Sequence, residues 1–552
     1  MLHSVNLIKT MKKLVNILLI AAAVTTVSCK ETYLDEKPYS AYTPITLKDA
    51  LGFEASLVGL YNHLSTYHSW SGRQGWPSLP VVGTDVANAT ANQEGVEIPY
   101  YNYNLLTPQD AGAARIWDRN YIMVNNTNII INSIEDPTLT GITEGVKNRI
   151  NAEAKFFRGF AYNNLVTFFG DVPLVTEAIA SPRTDFTRTP VAQIDEVIVR
   201  DLLFAVQNLP DIEDVPTNSK GKLYGRANKF MAMQQLAEAY LRIGKPDLAE
   251  AQLKAIIDSG KFKLIKNRYG VKTSQPGDYY SDMFVYGNQR RSQGNTEGIW
   301  VMEQENPNTV VGGITDNPQQ RRNWVAQYYD LQGMSLADSL GGRGLARLRL
   351  SNWVIYGLYK DGDVRNSKHN LRRTFYYNNP ARPDLFGKKV PYTGPDTLQK
   401  IAPHITKWNQ FDPNDTFGYA MIKDFILMRL GETYLYLAEA QFKQGKLADA
   451  AASLNALRER AFPEYPAKGQ IAPSEVTLDL ILDERARELI GEEDRRKTLM
   501  RTKTLVTRTL RLNSNHPVNP VQGLKDMHML MPIPQREIEL NKDAVLTQNP
   551  GY

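Results

Sequence analysis

The sequence predicts an all-α fold built from helical hairpins, about four helix pairs, interrupted by a large, irregular, loop-rich insert. Three observations carry this. A phrase occurs twice: Leu236-Ala237-Glu238-Ala239-Tyr240-Leu241-Arg242-Ile243-Gly244-Lys245 matches Leu437-Ala438-Glu439-Ala440-Gln441-Phe442-Lys443-Gln444-Gly445-Lys446. Around the second copy, apolar residues recur at Leu427, Leu430, Tyr434 and Leu437, then at Leu447, Ala450, Ala451, Leu454, Leu457 and Ala461, the spacing of amphipathic helices broken by one glycine turn. The unit measures about 34 residues, the tetratricopeptide length, and a hairpin of that size buries its apolar face only by stacking on others.

The other elements follow in order. A helix is expected from Thr46, with Leu47, Leu51, Val58, Tyr61 and Leu64 on one face, and another from Ala113, with Ile116, Met123, Thr127, Ile130 and Ile134. Ile150, Ala154, Phe157, Ala161, Leu165 and Phe168 mark a third, which Gly170 and Pro173 end. Its partner starts at Thr189-Pro190, a cap followed by proline in the first turn. The expected pairs are therefore 46–65 with 113–135, 144–169 with 190–209, 226–243 with 247–259, and 423–443 with 447–461. Residues 478–502 read as a charged helical tail, and 478–552 as C-terminal helices and an irregular end. Two intervals break the array, 66–112 and 260–422. The second holds four of the seven tryptophans and is rich in Gly, Pro and Tyr. Long loops of this kind are often functional.

Residues 1–28 read as a lipoprotein signal: Met11-Lys12-Lys13, an apolar run from Leu14 to Val24, then small residues up to Ser28. The run is too short for a permanent membrane span. Cys29 follows it, the one cysteine of the chain, and is the expected lipid-attachment site. A single cysteine excludes an internal disulfide framework or a thiolate cluster. Residues 29–552 are expected to form one domain. The net charge of +5 includes Lys9, Lys12 and Lys13 of the leader, and no dense basic stripe remains to hold a nucleic acid.

The chemistry-bearing residues do not assemble into a catalytic motif. Glu484, Arg485, Glu488, Glu492, Arg495 and Arg496 are spaced for ion pairs along a helix, and Glu153 and Arg158 read as hairpin fasteners. None of the seven histidines is paired at i, i+4, so neither metal nor cofactor is expected. No phosphate loop or nucleophile elbow is present.

Several motifs together resemble the SusD/RagB family of outer-membrane lipoproteins. They are Cys29 with Tyr33-Leu34-Asp35; Gly59-Leu60-Tyr61-Asn62; Ala152 to Arg158 leading to Phe169-Gly170-Asp171-Val172-Pro173-Leu174; Arg429 to Tyr434 with Ala438-Glu439-Ala440; Leu454 to Ala461; Glu484-Arg485 with Glu488-Leu489 and Glu492 to Arg496; and Pro532-Ile533-Pro534 with Gln548 to Tyr552. Glu493 and Thr498 stand where that family usually has glycine and aspartate. The resemblance implies a tetratricopeptide-like scaffold with a large insert. It implies a non-catalytic surface protein of the cell outer membrane, held by its lipid anchor, that binds oligosaccharides and delivers them to a TonB-dependent SusC-like transporter. A secreted hydrolase on a helical scaffold and a ligand-free interaction scaffold are the competing readings.

Sugar rings present flat C–H faces that stack on Trp and Tyr, and hydroxyls that need amide, carboxylate or guanidinium partners. The resemblance places the glycan site in the two interrupting intervals. There the expected stacking residues are Trp76 and Trp324, joined by Trp70 and Tyr328, with Asp85 and Arg322 for hydroxyl contacts. The Tyr100-Tyr101-Asn102-Tyr103 run lies in the same interval, whereas Trp300, Trp353 and Trp408 have apolar neighbours and are expected in the core.

Overall fold

The computed structural model describes residues 48–68, 72–179, 181–307, 309, 310, 313, 318–418 and 421–552. The leader, Cys29 and Trp70 lie outside the described residues.

The main helices are α1 (Ala50–Ser65), α2 (Ala111–Ile134), α3 (Glu144–Phe169), α4 (Val191–Asn208), α5 (Lys229–Ile243), α6 (Pro246–Asp258), α7 (Leu430–Lys443), α8 (Leu447–Ala461), α9 (Leu478–Leu489), α10 (Arg495–Arg501) and α11 (Leu505–Asn513). Each helix from α1 to α6 packs on the next, α7 packs on α8, and α6 packs on α7. The array therefore passes across the insert without a break. Caps fix several starts: the Asp49 carboxylate accepts from Gly52 N at 2.8 Å, and Asp110 accepts from Ala113 N at 2.7 Å. The two hairpin turns use the same device. Gly244 at φ +83° and Gly445 at φ +72° take the left-handed conformation that closes a helix and that a side chain would resist.

The repeated phrase has a shared structural task. Its two glutamates, Glu238 of α5 and Glu439 of α7, both reach α10: Glu238 pairs with Lys497 at 2.8 Å and Glu439 with Arg501 at 2.6 Å. Lys497 and Arg501 are one helical turn apart, so one face of α10 rivets both hairpins. The alanines around these glutamates are buried, as are Leu435, Leu454, Leu457 and Ile481, which form a core cluster between α7, α8 and α9.

The insert is not purely irregular. Strands β1 (Ala87–Ala89), β2 (Gly298–Met302), β3 (Leu348–Leu350) and β4 (Phe425–Arg429) form two antiparallel pairs, β1 with β3 and β2 with β4. The first pair aligns Asn88 with Arg349 and so stitches the first interrupting interval to the insert. The second corrects one expectation: residues 425–429 are strand, and α7 begins only at Leu430. The run Phe425-Ile426-Leu427-Met428 is apolar without a gap, so it fits a buried strand as well as a helix face. The partner strand decides, because β2 pairs Met302 with Phe425 and seats Trp300 edge-on against Phe156 at 5.3 Å.

The charged tail is a buried ion network. Glu484 and Glu488 of α9 are fully buried, and between them they meet Arg365 of the insert, Arg429, Arg458, Arg460 and Arg487. Glu493 and Thr498, where the resemblance implies glycine and aspartate, are bonded: the Thr498 hydroxyl donates to the Glu493 carboxylate at 3.0 Å.

Candidate functional site

The two interrupting intervals converge on one cavity of about 280 Å³. The turn Trp76–Ser78 supplies Trp76, and the short helix Gln320–Trp324 supplies Trp324. The two segments pack against each other. Arg115 and Arg119, one turn apart on α2, line the same cavity, with His68, Gln320, Trp408 and Phe425. Trp76 is half-buried, and the Arg115 guanidinium lies over its ring, 5.0 Å from the centroid. Trp324 is more enclosed, 4% exposed, and Trp300 forms part of the wall.

Several side chains of this wall carry an enclosed polar atom with no hydrogen-bond partner among the described residues: Arg119 Nη2, Gln289 Oε1, Gln320 Oε1 and Trp300 Nε1. Buried polar atoms are rarely left so. Arg119 Nη1 donates to Tyr67 O at 3.1 Å, and among the described residues no carboxylate lies within ion-pair distance of this side chain. Most carboxylates on the wall are engaged in ion pairs, Glu492 with Lys407 at 2.5 Å, Asp424 with Arg290 at 2.8 Å, Glu238 with Lys497, and Glu432 and Glu493 with Arg485, whereas Asp494 accepts from the backbone N–H of Lys497 at 2.9 Å. Burial pushes His68 down to about 4, so it is neutral at pH 7; its ring packs on Phe425 at 4.8 Å. The arrangement can hold a ligand between flat rings and polar edges. Among the described residues no group of His, Cys, Asp and Glu is placed to hold a metal ion.

The expected residues divide. Trp76 and Trp324 do come together. Asp85 does not join them: it is fully buried, and its carboxylate takes Arg495 at 2.7 and 2.9 Å and Arg508 at 2.9 Å. Burial alone would raise its pKa, but the two guanidinium groups hold it below the usual aspartate value. Arg322 is also enclosed, 5% exposed, with Nη1 toward Gln319 at 3.4 Å. Tyr328 is fully buried; its hydroxyl donates to Ala337 O and accepts from Ala337 N, and its ring packs in a cluster with Val325, Phe375 and Ile401. Arg322 and Tyr328 serve the interior of the insert, and Asp85 ties the first interval to α10 and α11. The Tyr100–Tyr103 run is likewise interior, with Arg496 over the rings of Tyr100 and Tyr103. Trp408, expected in the core, is buried yet faces the cavity. Arg115 and Arg119 were missed, although their i, i+4 spacing beside the first interval was a usable signal.

Comparison with known proteins agrees with this architecture. The chain matches the model described as "SusD family" over residues 285–552 and the model described as "Starch-binding associating with outer membrane" over residues 32–241. It belongs to the SusD/RagB family. SusD-like protein P25 of Formosa agariphila is 25% identical, covering 93% of this chain and 94% of the relative. SusD-like protein P2 of the same organism is 25% identical over 97% and 98%. Among solved structures, a laminarin binding SusD-like protein shares 22% identity, covers 92% of this chain and 100% of its own, and superposes with a TM-score of 0.67. Surface glycan-binding protein A from Bacteroides thetaiotaomicron, in complex with laminarihexaose, gives 19% identity, 91% and 99% coverage and a TM-score of 0.67. These likenesses establish the mostly helical, tetratricopeptide-like fold.

Proposed function

We propose that this protein is a non-catalytic glycan-binding lipoprotein of the outer-membrane surface, which captures oligosaccharide in the Trp76–Trp324 cleft and delivers it to a TonB-dependent SusC-like transporter. The observation that carries the reading is the meeting of two indoles, one from each interrupting interval, on one cavity whose wall also carries arginine and amide side chains. Stacked rings bind the apolar sugar face, and Arg115, Arg119 and Gln320 stand at its edges. The names of the similar proteins support the ligand class: one binds laminarin, another was solved with laminarihexaose. No helix among the described residues is long and apolar enough to cross a membrane. The anchor is assigned to a lipid on Cys29.

Two experiments test this. Calorimetry against a glycan panel should show binding without product, and Trp76→Ala and Trp324→Ala should each lose about 1–3 kcal/mol, roughly ten- to hundred-fold in affinity, with helical content unchanged. Unaltered affinity in both variants would move the site elsewhere, and sugar release would turn the assignment to a hydrolase. For the anchor, Cys29→Ala should shift the protein from the membrane pellet to the supernatant; a variant that still sediments in high salt, in cells lacking the transporter, refutes lipid attachment at this residue.

A further inference from the structure

A second feature of the insert lies apart from the cleft. Tyr356 and Tyr392 turn their rings to solvent, 66% and 37% exposed. Tyr356 projects from the wide turn Trp353–Gly357, and two guanidinium groups hold that turn from behind. Arg349 Nη1 donates to Leu350 O at 3.0 Å and to Asn352 Oδ1 at 3.1 Å. Arg373 donates to Ile355 O through Nε at 3.2 Å and Nη2 at 2.8 Å. Tyr392 acts electrostatically on both Tyr356 and Arg349 and so belongs to the same patch.

The charge balance here differs from that of the buried ion network around Glu484 and Glu488. Arg365, Arg429 and Arg460 are each closed by two or three carboxylates. Arg349 is as deeply placed, 4% exposed, and its enclosed Nε has no hydrogen-bond partner among the described residues. Among the described residues neither Arg349 nor Arg373 is ion-paired to a carboxylate, and the groups that act on them are tyrosines. His516, beside Arg349, is buried and neutral at pH 7, so it adds no second positive charge there. A buried guanidinium without a counter-ion is costly, and an external anion would relieve that cost. The forked donor set matches carboxylate and sulfate oxygens, and an exposed tyrosine ring offers a face for a pyranose.

We infer that Arg349, Arg373, Tyr356 and Tyr392 form a second ligand site, which takes the anionic group of an acidic sugar, a uronate carboxylate or a sulfate ester. The inference rests on the reading of the protein as a glycan binder, though not on the Trp76–Trp324 cleft.

Titration of the Trp76→Ala protein isolates this site. The probes are a galacturonate trimer, a sulfated galactose oligomer and a neutral oligomer of matched length. One of the acidic probes should bind, more weakly as salt rises, while the neutral one does not; which of the two binds separates carboxylate from sulfate. Adding Tyr356→Ala or Arg373→Gln should weaken that binding about ten-fold or more. Tyr356 is exposed, so its variant keeps the fold even if Arg373→Gln does not. The inference is overturned if neither acidic probe binds, if neutral and acidic probes bind alike, or if Tyr356→Ala leaves acidic binding unchanged. Failure of the parent protein to bind any glycan would instead overturn the glycan-binding reading.

Discussion

Asp85 belongs to a loop, but its partners are helical arginines more than four hundred positions downstream. No local feature of Thr84-Asp85-Val86 distinguishes a residue poised for a sugar hydroxyl from one clamped by two guanidinium groups. The difference lies in long-range contacts that a single sequence does not display. Tyr328 fails for the same reason: an aromatic beside arginine and amide residues looks like a sugar platform until Ala337, Phe375 and Ile401 enclose it. The meeting of Trp76 and Trp324 on one cavity was legible because both stand in the intervals that the helical period leaves out. The clamp makes a definite prediction. Asp85→Asn keeps the shape but leaves Arg495 and Arg508 without their shared carboxylate, and should lower unfolding free energy by about 3–5 kcal/mol in denaturant titration. A loss below about 1 kcal/mol would show that water or Glu493 replaces the carboxylate.

The helices were the most legible elements, since their 3.6-residue apolar period and glycine stops are written locally. Gly244 and Gly445 end equivalent helices, and the twin glutamates of the repeated phrase converge on α10, which periodicity alone could not foretell. Short strands were less legible. Residues 425–429 extend the apolar pattern of α7 and become a strand only because Gly298–Met302 lies alongside. The cleft shows the same division. Its loop indoles were read from the sequence, whereas the α2 arginines that flank them look like ordinary solvent-facing residues until the loop folds over that helix.

The whole molecule is held by buried ions, and its acid response should follow from them. Burial drives His404 and His516 down to about 3, far below the ordinary histidine value near 6.5. The unfolded chain then binds more protons than the folded one as pH falls from about 6.5 toward 3, so stability drops through that window, by up to about 1.4 kcal/mol per pH unit for each histidine. Burial alone would raise Glu439, but Arg501 holds it down to about 2, so its contribution is complete above the unfolded carboxyl value near 4.5 and is lost between there and 2. Thermal melts should therefore weaken progressively below pH 6.5. A flat melting temperature from pH 6.5 to 4 would mean that these histidines are solvated. The clamp at Asp85 also bears on how the protein is made. The loop that carries Trp76 is fastened by α10 and α11, and Arg495 emerges from the ribosome 410 residues after Asp85. During synthesis the first half of the chain thus lacks the groups that neutralise its buried aspartate. A nascent chain kept from closing this loop until nearly all of it has been translated stays threadable, a property that suits the passage through a secretion channel which the proposed surface location requires.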